Sequence, residues 1–207
     1  MTLRKWFYLF WTTMAIGAGV CMATGLLMLL TDQDFGFLGF KATGFNLLMM
    51  FLAGTMIGAF SQMCFFAYLT LNYIALSVFR KKYLWNALQG YTTLFGVFLL
   101  GYVLYEGRMN NWFHWVLPLG LLLASLAVAW FKVKQTNRSA FIPTMFLMFV
   151  VTAIEAYPAI QGENSAGTII FMLLPLFACN FYQNHIMAKL TGSQAAASAG
   201  APAKTAV

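Results

Sequence analysis

The chain has 207 residues, of which 61% are hydrophobic and only 8% charged, with a formal net charge of +7. Soluble domains carry roughly a quarter charged residues, so this composition excludes an ordinary water-soluble globule. No run of alternating apolar and polar residues suggests a membrane β-barrel, and the connections are too short to hold a folded soluble domain.

Polar breaks cut the sequence into six apolar stretches, and the charges sort between alternate breaks. Arg4, Lys5, Arg80, Lys81, Lys82, Lys132, Lys134, Arg138, Lys189 and Lys204 occupy one set, which is ten of the twelve bases and no acid. Asp32, Asp34, Glu106 and Glu163 occupy the other set with only Lys41 and Arg108. The positive-inside rule then predicts an all-α polytopic membrane protein. It has six transmembrane helices, short loops and both termini in the cytoplasm. The expected location is the bacterial cytoplasmic membrane. The basic excess reads as an orientation signal and an attraction to anionic lipid rather than as nucleic-acid binding.

Span 1 is expected over residues 6–30. Trp6, Tyr8 and Trp11 form an interfacial belt. Thr13, Gly17, Cys21 and Gly25 form a ladder of small residues that would let another helix come close. The apolar run is too long for a signal peptide, lacks an A-x-A site, and has Val20 where a lipoprotein signal needs a small residue before Cys21. This span is therefore expected to stay attached.

Span 2, residues 44–79, carries no charge over about 36 residues, roughly 54 Å of helix against a core of ~30 Å. The flanking charges allow one crossing only. It must be tilted, continue beyond the bilayer, or begin with an interfacial piece. Gly54, Gly58, Ser61 and Asn72 fall on one helical face with Gln62 at its edge, and Gly54–Gly58 is a GxxxG. Such a stripe reads as a seam facing another helix, either within this chain or on a partner.

Spans 3 to 6 are expected at about 83–105, 112–131, 140–160 and 166–187. Trp112 and Trp115 anchor span 4, and Lys132 to Ser139 form a basic cytoplasmic loop. Pro143 is tolerated in the first turn of span 5, and Pro175 is expected to kink span 6. The Ala-rich tail, residues 191–207, is expected to be disordered.

Glu155 is the only acid inside a span, and an intramembrane carboxylate suggests a proton or cation site. Its distance from Ala140, about 22 Å of helix, and the following Tyr157–Pro158 suggest instead a loosened helix end wet from the outer face. Asn180, Gln183 and Asn184 are expected to cap the end of span 6 or to meet a partner. His114 and His185 lie at opposite faces, and Cys21, Cys64 and Cys179 form no CxxC, so neither a metal site nor a redox pair is expected. No protease, Walker or dinucleotide motif is present. The expectation is a non-enzyme without catalytic residues, cofactor or metal.

Several strings carry a resemblance: Ser61–Thr70 (SQMCFFAYLT), Val133–Pro158 (VKQTNRSAFIPTMFLMFVVTAIEAYP), Leu174–Gln183 (LPLFACNFYQ) and the opening LRKWFYLFWTT. Through them the chain resembles the KinB signalling pathway activation (KbaA) proteins of endospore-forming bacteria, over nearly its whole length apart from the tail. The resemblance implies a cytoplasmic-membrane protein needed for a membrane sensor histidine kinase to feed the phosphorelay that starts sporulation. It carries over no catalytic residues. The leading expectation is an accessory protein that promotes kinase activation through intramembrane helix contacts. Gly54, Gly58, Ser61, Gln62 and Asn72, with Lys132, Lys134 and Arg138 of the basic loop, are the candidate contact residues. Glu155 and Asn180 form a candidate intramembrane polar site. The alternatives are a small-solute carrier or substrate-capture subunit with its site near Glu155, and a chaperone for kinase insertion. No inverted repeat supports the carrier.

Overall fold

A computed structural model describes residues 3–31, 43–79, 81–106, 113–162 and 166–199. Asp32, Asp34, Lys41, Arg80, Arg108, Trp112, Glu163 and the tail beyond residue 199 lie outside the described residues. The described chain is helical: α1 (Leu3–Thr31), α2 (Thr43–Val78), α3 (Lys82–Glu106), α4 (Phe113–Gln135), α5 (Phe141–Phe146), α6 (Thr152–Gly162) and α7 (Ala166–Ala199). A 3₁₀ turn over Arg138–Ala140 precedes α5, and a π-helical turn over Leu147–Val151 joins α5 to α6. Those pieces make one apolar rod, so six rods in all are long and apolar enough to cross a membrane.

Long uncharged runs of Leu, Phe, Met and Ala form helices because, away from water, every backbone N–H and C=O must be satisfied within the segment. α2 is one unbroken helix of 36 residues, with no separate interfacial piece at its start. α7 continues into the Ala-rich stretch as far as Ala199, in keeping with the high helix propensity of alanine.

Two groups of helices share one centre. α1 lies along α2, and both pack on α7; α3 and α4 pack on each other and on α5. α2 and α3, although adjacent in sequence, touch little. The fifth rod joins the groups, its π turn meeting α2, α3, α4 and α7. It is the central rod: 56% of its most apolar stretch is buried, against 28–39% in the other five.

The α1–α2 contact is the tightest in the molecule and follows from glycine placement. A Cβ built on Gly54 would lie 2.6 Å from Gly17 O and from the Cys21 Cβ, and one on Gly58 would lie 2.8 Å from Met14 Cα. The GxxxG of α2 therefore interdigitates with the small-residue ladder of α1, backbone against backbone. Near one end of the bundle lie Lys5, Lys81, Lys82, Lys132, Lys134 and Arg138; Glu106 lies at the other.

Candidate functional site: a buried polar core

Three helices bring amides, hydroxyls and one carboxyl together inside an otherwise apolar bundle. α7 supplies Asn180 and Gln183, α2 supplies Ser61, and α6 supplies Thr152 and Glu155. All five are at most 2% exposed, as is Gln62, the next residue on α2. Asn180 is the hub. Its Nδ2 donates to Glu155 Oε2 at 2.7 Å and to Thr152 Oγ1 at 3.0 Å, while its Oδ1 accepts from Ser61 Oγ at 3.2 Å. Gln183 Nε2 donates to Ser61 Oγ at 3.2 Å. One short chain of bonds thus ties α2, α6 and α7.

Local backbone geometry makes this meeting possible. A π turn carries one extra residue relative to an α-helical turn and so rotates everything after it. The turn at Leu147–Val151 ends one residue before Thr152, and the rotation presents Thr152 and Glu155 to α7. The expectation of a loosened, wetted helix end at Glu155 is corrected. Glu155 is 2% exposed, and α6 runs on through Tyr157 and Pro158 to Gly162. Pro158 forfeits only the bond its N–H would have made to the Ile154 carbonyl. The expectation that Asn180 and Gln183 cap a helix end is corrected as well, since both lie inside α7 and bond across helices.

The core is not fully satisfied. Glu155 Oε1, Gln183 Oε1 and both amide atoms of Gln62 are buried without a partner among the described residues. Buried polar groups are normally bonded, and exceptions mark strain, bound water or a functional role. Cys64 and Cys179 stand beside the Glu155 carboxyl.

A second set of bonds ties the other group of helices. Tyr68 Oη donates to Pro143 O at 3.1 Å and accepts from Gln89 Nε2 at 3.4 Å. Trp85 Nε1 donates to Asn72 Oδ1 at 2.8 Å, bridging α3 and α2.

The residues singled out from sequence fall into three environments. Gly54 and Gly58 are buried against α1, and Ser61 and Gln62 are fully buried, Ser61 within the polar core, so this part of the stripe is covered by helices of this same chain. Asn72 is half-buried and held by Trp85. In the basic segment, Lys132 reaches α7, bonding Asn184 Oδ1 and, at 3.4 Å, Asn184 O. Lys134 lies 3.6 Å over the Trp130 ring and is exposed, as is Arg138. Thr152, Gln89 and Tyr68 were not singled out. The available signal was the spacing of polar residues in apolar spans, Asn180 with Gln183 and Asn184 on α7 and Gln89 with Thr93 on α3. Among the described residues no group of three His, Cys, Asp or Glu is placed to hold a metal.

The fold and this core define an all-helical bundle with six helices long and apolar enough to cross a membrane, whose described polar core lies between helices. Comparison with known proteins narrows that class. The family described as KinB-signalling pathway activation in sporulation (KbaA) matches residues 17–190. A Bacillus subtilis protein named KinB-signaling pathway activation protein is 35% identical over 181 residues, covering 84% of this chain and 90% of the relative. No solved structure matches. The chain belongs to the KinB-signalling pathway activation family.

Proposed function

We propose that this protein promotes activation of a KinB-type sensor histidine kinase from within the bacterial cytoplasmic membrane, with both termini cytoplasmic, through lateral contacts between helices and without catalysis of its own. Family membership across residues 17–190 carries the reading. The lateral route is supported by the fold, because nearly all the described chain lies in six rods long and apolar enough to cross a membrane. α2 and α3 leave large apolar side chains exposed, among them Met56, Met63, Tyr91 and Leu94.

Within this reading the stripe on α2 acts from the inside. Gly54 and Gly58 set how closely α1 approaches, and Ser61, Asn180 and Glu155 set how α2, α6 and α7 register. Lys134 and Arg138 stand exposed for a partner at the cytoplasmic surface. A switch needs only 1–3 kcal/mol of coupling, and a few interhelical bonds of ~0.6–1.7 kcal/mol that differ between two arrangements supply it. The test is complementation of a deletion strain that sporulates through the KinB-type kinase. Asn180→Leu is expected to accumulate but to lower the kinase-dependent reporter by at least several-fold; full activity at normal abundance would sink the polar core's role.

The unpaired atoms of Glu155, Gln183 and Gln62 favour a second reading, in which the core receives a small polar solute or cation. It predicts a ligand-dependent rise in melting temperature that Glu155→Gln abolishes. Screening metabolite pools without any such rise would remove it.

A further inference from the structure

A cavity of about 450 Å³ opens between α2, α4, α5 and α7. Its lining includes Lys132, Asn72, Asn184, Thr136, Thr144 and Tyr68 on the polar side and Phe65 and Leu147 on the apolar side. Tyr68 Oη is already bonded to Pro143 O and Gln89. The hydrogen-bonding capacity left in it can be worked out by elimination. Lysine and the indole N–H only donate. Asn184 must therefore turn its oxygen to Lys132, and Asn72 must turn its oxygen to Trp85. Each amide then keeps both N–H donors of its NH₂ unspent, while its oxygen is already engaged by a donor. Lys132 spends two of its three N–H bonds on Asn184, and the third remains. Thr136 already donates to the Lys132 carbonyl at 2.8 Å.

No carboxylate balances this charge among the described residues. The acids there are Glu106, at the far end of α3, and Glu155, which is bound to Asn180. A half-buried ammonium flanked by two donor amides, beside an apolar wall at the basic end of the bundle, is a site for an anion.

We propose that this cavity binds a phosphate group, with Lys132 as its counter-charge and the Asn72 and Asn184 amides as its donors. An anionic phospholipid headgroup and free phosphate share that chemistry. Occupancy would also reach the polar core, because Asn184 lies one turn beyond Asn180 on α7.

The test uses the purified full-length protein in non-ionic maltoside micelles, which carry no phosphate, with melting temperature as readout. One arm titrates phosphatidylglycerol and the other inorganic phosphate. The expected result is a dose-dependent rise in at least one arm. Lipid alone would identify a headgroup site and inorganic phosphate a soluble ligand. Lys132→Gln and Asn72→Asp are each expected to move the half-maximal dose up roughly ten- to a hundred-fold, the worth of one charge-assisted bond. Asn72→Asp still accepts from Trp85, so it reports on the site even if Lys132→Gln misfolds. Lys81→Gln, an exposed lysine at the same end, is expected to respond like the unaltered protein. No rise in either arm, or an unchanged dose dependence in both site variants, would overturn the proposal.

Discussion

Replacing Asn180 by Leu removes the hub of the polar core while keeping the branched shape and the number of side-chain heavy atoms, so its cost reports on bonds rather than on a cavity. Three bonds disappear: those to Glu155 at 2.7 Å, Thr152 at 3.0 Å and Ser61 at 3.2 Å. Interhelical hydrogen bonds in membrane proteins average about 0.6 kcal/mol and reach about 1.7, so three account for roughly 2–5 kcal/mol. The loss also strands Glu155, whose Oε1 already lacks a partner, adding about 1–3 kcal/mol for an unsatisfied buried group. Better apolar packing of Leu offsets part of this, leaving an expected loss near ~3 kcal/mol. Equilibrium unfolding in mixed micelles, followed by tryptophan fluorescence, measures it. A double-mutant cycle separates the two sources. If the stranded carboxyl matters, adding Glu155→Leu to Asn180→Leu should recover about 1 kcal/mol or more rather than add to the loss. A cost under ~0.5 kcal/mol for Asn180→Leu, or strict additivity with Glu155→Leu, would refute this account of the core.

Gly54→Val should destabilise by at least ~3 kcal/mol or prevent accumulation, because its Cβ would meet Gly17 O at 2.6 Å and Ala18 Cα at 2.7 Å, neither able to swing aside. Gly120→Ala meets nothing within 4 Å and should be neutral or stabilising by up to ~1 kcal/mol in the same unfolding assay. Asn72→Leu removes only the Trp85 bond and should cost about 1 kcal/mol, with a shift in the emission of Trp85. In the folded protein a membrane-permeant maleimide should modify Cys64, which is half-buried, ahead of Cys21 and Cys179, which are 0% exposed. Mass spectrometry of labelled peptides showing Cys21 or Cys179 reacting first would contradict the packing of α1 on α2 and α7.

The number of rods and the presence of a close-packing face on each of α1 and α2 were legible in the sequence, and for good physical reasons. Uncharged runs longer than ~20 residues have one stable form away from water. Small residues four apart on α1 and α2 also announce a close helix contact, and the Gly17–Gly54–Gly58 packing realises it. The polar core was only half legible. Glu155 and Asn180 stood out as polar residues in apolar spans, but their bond could not be read. The π turn at Leu147–Val151 shifts the helical phase of everything after it, and nothing in the run of Leu, Met, Phe and Val declares it. Counting α-helical rise from Ala140 therefore suggested a wetted helix end for Glu155, where packing buries it. Which helices neighbour one another was equally hidden. The six rods have similar hydropathy, so the central position of the fifth emerges only from packing against α2, α3, α4 and α7.

The central claim is lateral action on a KinB-type kinase, and in-cell photocrosslinking tests it most directly. Photoreactive residues would be placed one at a time at the exposed positions Met56, Met63, Leu71, Tyr91, Leu94 and Leu123, with the kinase tagged in a sporulating host. The account predicts kinase crosslinks from a contiguous subset of these positions, on one side of the bundle, which weaken when Asn180→Leu is introduced. Absence of any crosslink, with both proteins at normal levels and the kinase-dependent reporter active, would contradict it.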